Sequence, residues 1–139
     1  MAIETAIVAP VLALLSVGAF QVSAMVARQN ELQSAVAEAE AIALASPPDT
    51  AAERDTIRNI VGASVGPATE HPDARVTVAE KFRCNSDVSY VATAGSCPTT
   101  AEVSSFVEIT ITDTYTPMWR ELGIGEPFHF NVVRTVQVS

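Results

Sequence analysis

The chain has 139 residues, 48% hydrophobic and 17% charged, with a formal net charge of −8. That length allows one domain with an appendage. The charge is unevenly spread: none lies between Glu4 and Arg28, whereas positions 28 to 139 hold all eight Lys and Arg against fifteen acids, a net charge of −7. An acidic remainder of this kind repels phosphate backbones, and no cluster of arginines interleaves with aromatics, so nucleic-acid binding is excluded as the default reading.

Thr5 to Ala27 give 23 uncharged positions. As a helix they reach roughly 35 Å, enough to cross a bilayer core of about 30 Å. Pro10 brings no N–H to the helical ladder and is expected to kink it or loosen a turn, and Gly18 is a second weak point. Three readings compete for this segment. A cleaved secretory signal fits the small residues Val22-Ser23-Ala24, but a signal has Lys or Arg in front and this chain has Glu4. A plain membrane anchor fits the length and leaves Glu4 without a task. An assembling helix accounts both for Glu4 and for the helical pattern past Arg28.

Beyond Arg28 the helix formers continue. Leu32, Ala35, Val36, Ala39, Ile42 and Ala43 fall at three- and four-residue steps on one stripe, while Glu31, Ser34 and Glu38 point away. Pro47-Pro48 ends the run. The spacing predicts one helix from about Ile3 to Ser46, roughly 65 Å long. Its first part, 1–27, is apolar all round and is expected to form a transmembrane or filament-core helix. Residues 28–139 form an extracytoplasmic head, with 28–46 as the amphipathic continuation that lies against it.

Met1-Ala2-Ile3-Glu4-Thr5-Ala6-Ile7-Val8-Ala9-Pro10-Val11-Leu12-Ala13-Leu14-Leu15 resembles the start of a TadE-type pseudopilin of the tight-adherence (Tad/Flp, type IVc) branch of type IV pili. In that family a short leader precedes a small-residue run with a glutamate and an apolar stretch with an early proline. Val107 to Tyr115, Pro117, a Gly-containing loop and a closing strand through Arg134 are similar to the family's end. The family's glutamate usually stands fifth after leader removal. Here the matching residue is Glu4, so either the chain is in processed form with one residue fewer or its frame has been trimmed. The resemblance implies a minor or major pilus subunit that waits in the inner membrane and then enters an extracellular filament active in adhesion and surface colonisation. It also implies copies of the chain and other pilins, the assembly machinery and a leader peptidase as partners.

Glu4 and Pro10 are the assembly residues of this reading. A carboxylate in an apolar bundle is costly unless paired, and the α-amino group of a neighbouring or the same chain is a cation near neutral pH. Such a pair would set the axial step between helices, a registry role. Ala6, Ala9, Ala13, Ser16, Ala19, Ser23 and Ala27 recur at three- and four-residue steps, which permits close helix approach and also fits plain alanine richness.

The head reads as α+β, an antiparallel sheet of three or four strands packed on the long helix. Thr50-Ala51-Ala52-Glu53 is a capping-box pattern opening a second helix with Ile57, Ile60 and Val61 on its apolar face, closed by Gly62, Gly66 and Pro67. Val76, Val78, Phe82 and Cys84 share one side of a first strand, with Glu80 an exception. Val88, Tyr90 and Ala92 suggest a short second one. In the third, Val107, Ile109 and Ile111 alternate with Glu108, Thr110 and Thr112. In the last, Phe128, Phe130, Val132, Val136 and Val138 alternate with polar partners and Val133.

Cys84 and Cys97 are the only cysteines and, in an exported chain, read as a disulfide worth about 3 kcal/mol in the chain-entropy model. A zinc site would need further ligands, and His71 and His129 are far away in sequence, so no metal is expected. Met118 and Trp119, in the loop that holds the only tryptophan, either meet a partner or seal the sheet edge. No nucleophile elbow, His-Glu-x-x-His, Walker loop, EF-hand or Rossmann glycine pattern is present, so neither catalysis nor a cofactor is expected. A single-pass anchored domain that binds a ligand outside the cytoplasm is the alternative function.

Overall fold

The computed structural model describes residues 2–67 and 70–139, without the side chains of residues 2–5 and 122. Helix α1 runs Ala2–Ala45 and α2 runs Ala51–Val65, followed by strands β1 (Arg75–Cys84), β2 (Val103–Tyr115) and β3 (Phe128–Gln137). The sheet has the order β1-β2-β3, antiparallel throughout. The chain is thus α+β, with a long apolar N-terminal helix and a small antiparallel sheet.

One face of the sheet packs on the second half of α1 and on α2. Leu32, Ala35, Val36, Ala39 and Ala43 of α1 meet Ile57, Val61 and Val65 of α2 and Val107, Ile109, Ile111 and Val136 of the sheet. The three- and four-residue steps of α1 and the two-residue steps of β2 therefore converge on one core. Glu80, the polar exception in β1, faces α2 and pairs with Arg54 at 3.1 Å. Thr50 caps α2 through both bonds of a capping box, so the expected helix start stands.

Val88, Tyr90 and Ala92 do not form a strand. Only Val91 pairs, with Phe82, through two backbone hydrogen bonds of 2.8 Å. Val88 is 94% exposed. The segment lies inside the loop closed by the Cys84–Cys97 disulfide and turns into a 3-10 helix at Ala94–Ser96, leaving no length for a ladder. The loop instead covers the outer face: Tyr90 meets Phe106 edge-on with ring centroids 5.1 Å apart, and the Arg83 guanidinium lies 4.9 Å from the same ring. The sheet accordingly has three strands.

Candidate functional site: the long helix and its clasp

The two halves of α1 differ in what covers them. Described side chains from Ala6 to Phe20 are exposed apart from half-buried Gly18, with Ile7, Leu14, Leu15 and Phe20 each at least 65% exposed. An apolar surface this large stays out of water only against lipid or other protein. The apolar helix is long enough to cross a membrane. Pro10 lies inside it and withholds the donor that the Ala6 carbonyl would otherwise receive. Ser16 Oγ donates to the Leu12 carbonyl at 2.8 Å, so its hydroxyl is satisfied within the helix. Glu4 falls on α1, and its side chain lies outside the described residues.

Among the described residues the head closes on α1 at two buried polar points, besides the more exposed contacts of Ser64 with Glu38 at 3.3 Å and of Arg134 with Glu40 at 3.9 Å. The first is Gln21, buried although it lies in the uncharged run. Its Oε1 accepts from Tyr115 Oη at 2.7 Å and from the Met118 backbone N–H at 3.4 Å. Between those donors Pro117 is fully buried, so proline rather than methionine or tryptophan plugs the gap. Met118 is exposed, and half-buried Trp119 packs beside Gly125, whose φ of 76° suits glycine. Met118 and Trp119 thus stand next to one another where the head meets the apolar half of α1.

The second point is Arg28. Its Nε donates to Asp113 Oδ2 at 2.7 Å and its Nη1 donates to the Val65 carbonyl at 2.8 Å, with a further Nη1 contact to Glu31 at 3.1 Å. Arg28 and Asp113 are both buried, and Asp113 also accepts from the Thr114 backbone N–H. His71 Nδ1 lies 3.7 Å from Asp113 Oδ2. One guanidinium therefore joins α1, the end of α2 and β2. Arg28 Nη2 is buried and finds no hydrogen-bond partner among the described residues.

Sequence reasoning missed both clasps. Gln21 was legible as the one amide between Glu4 and Arg28, and Asp113 as the next inward position after Val107, Ile109 and Ile111.

Other features carry less chemistry. An open cleft of about 390 Å³ beside α2 is lined by Arg58, Asn59, His71 and Arg75 among others. Its cations are engaged: Arg58 pairs with Asp55 at 3.2 Å, and Arg75 donates to the Pro72 and Ala74 carbonyls. His129 Nδ1 lies 3.1 Å from Thr114 Oγ1 on the exposed side of β3. Among the described residues no group of three or more His, Cys, Asp or Glu is placed to hold a metal ion.

Residues 1–40 match the family model described as TadE-like protein. The matched segment holds the exposed apolar half of α1, both its clasp residues and most of its buried stripe. No curated protein and no solved structure matches the chain.

Proposed function

We propose, from the match of residues 1–40 to the TadE-like family model and from the membrane-type N-terminal helix, that this chain is a Tad pilus-associated protein and a structural subunit of the filament. The observation that carries the reading is the contrast within α1: its first half is bare and apolar while its second half is buried by the head. In the bilayer, lipid covers the bare half; in the filament, the same surface packs against helices of other subunits. Small residues support the second packing. Ser16 and Ser23 lie two positions from Gly18 and Gln21, about 200° around the helix, so the face that permits close approach points away from the head.

In this reading Glu4 sets the stagger by meeting an N-terminal amine, and Pro10 loosens the turn around it. The acidic heads coat the outside and are exposed outside the cell, where adhesion and surface colonisation take place. The reading gives the chain no enzymatic task.

Shearing cells and sedimenting the released material tests the proposal. Recovery in the fibre pellet is the expected result. Retention of the whole population in membranes would overturn it in favour of an anchored binding domain.

A further inference from the structure

We propose that the loop of residues 116–127 rests in the headgroup region of the bilayer before assembly, so that the head is seated on the membrane rather than tethered above it. The inference rests on the reading of α1 as membrane-spanning and names the surface Met118 and Trp119 meet in that state.

Helix length carries the argument. Sixteen positions separate Glu4 from Gln21. The rise from Glu4 to Gln21 is about 26 Å, whereas the hydrocarbon core is about 30 Å thick. Even a bilayer thinned to match the helix reaches the level of Gln21, where Tyr115 Oη and the Met118 N–H hold the loop against α1. The loop cannot then stand clear of the surface.

Its side chains suit that position. Met118 is 63% exposed and Ile124 62%, and Phe128 at the adjoining start of β3 is 42% exposed, an unusual amount of apolar surface for a solvated loop and its flank. Trp119, half-buried with its ring against Gly125, belongs to the same loop, and tryptophan favours the zone where one side of the ring is apolar and the other wet. Arg120, Glu121 and Glu126 are exposed in the same loop, which limits its depth to the interface. The 3-10 helix at Met118–Leu122 is held by its own turn, with the Gly123 N–H donating to the Arg120 carbonyl at 2.8 Å. The apolar side chains are thus presented on an ordered turn.

Trp119 is the only tryptophan, so the full chain reports on its own loop. The chain is reconstituted at low density in phosphatidylcholine vesicles with lipids brominated either near the headgroup or near the chain terminus. The expected result is roughly two-fold stronger quenching by the shallow bromines, the depth expected of an interfacial ring. The double variant Met118→Asp/Ile124→Asp, at exposed positions, should lose that quenching while keeping its urea midpoint. Absence of bromine quenching in a chain that resists alkaline extraction would overturn the seating and leave the span standing. Quenching unchanged in the double variant would overturn it too, and so would an emission change that depends on protein density alone. Extraction by alkali would remove the span and the seating together.

Discussion

Arg28 is the first charge after the apolar run, and it is buried against Asp113 on one side and the Val65 carbonyl on the other. A buried ion pair is costly to form and more costly to break, because the surviving charge is left without a partner. Arg28→Ala or Asp113→Ala should each cost about 3–5 kcal/mol of head stability, read as the urea midpoint of the full chain in detergent. The double replacement Arg28→Met/Asp113→Leu should cost far less than the sum, since no orphan charge remains. A second residue-scale prediction concerns Cys84 and Cys97, which are bonded and close a loop whose ends are 13 positions apart. Replacing both by Ser should lower stability by about 3 kcal/mol in the chain-entropy model. The same measurement should show Tyr90 released from Phe106 as a loss of near-ultraviolet dichroism, because the tethered loop holds that ring pair.

At the scale of elements, α2 is the piece whose start is set most locally. Thr50 N–H donates to Glu53 Oε2 at 2.9 Å and Glu53 N–H donates to Thr50 Oγ1 at 3.3 Å. The backbone bond from Thr50, then its hydroxyl, hold the Glu53 carboxyl below its ordinary value of 4.5. A carboxylate with a depressed folded-state pKa stabilises the fold above the unfolded value, and that contribution is lost as pH falls through the folded value. A titration followed by NMR should place the Glu53 midpoint below 4.5, with the Thr50 amide shift moving in step and the movement absent in Glu53→Gln. Thr50→Ala should cost about 1 kcal/mol and fray the first turn. Local rules of this kind are why so much of the fold was legible. The capping box, the 3.6-residue stripe from Leu32 to Ala43 and the two-residue alternation in β2 and β3 are short-range patterns that mark their elements, whereas Gly62 does not close α2, which runs through it to Val65 and ends before Gly66. Val88 to Ala92 has the same alternation and forms a single bridge, because the disulfide and the following turn leave no partner edge to follow. Gln21 and Asp113 stand out singly, but the pairings that make the clasps were illegible for a related reason. Tyr115 and Asp113 lie 94 and 85 positions from Gln21 and Arg28, and periodicity does not say which distant polar side chain returns to a helix.

For the whole molecule, α1 is a rod of 44 residues, about 66 Å by its rise, with a head covering it only from about Gln21 onward. Apolar contact alone specifies poorly how two such rods slide past one another, since neighbouring registers bury similar area; on the proposed assembly, the charge of Glu4 is what makes the registers unequal. One helical turn of slip displaces a carboxylate by about 5.4 Å, which breaks an ion pair while hardly changing the apolar contact. On the proposed assembly, Glu4→Gln should therefore leave the chain folded and retained in the membrane, and reduce sheared filament by roughly ten-fold, the effect of about 1.4 kcal/mol per subunit contact. Glu4→Ala should do the same, because hydrogen bonding by Gln cannot replace the attraction between full charges. Comparing sheared-fibre and membrane fractions by immunoblot distinguishes the two stages. A normal fibre yield from either variant would strip Glu4 of its registry role, leaving the small-residue face to align the helices unaided.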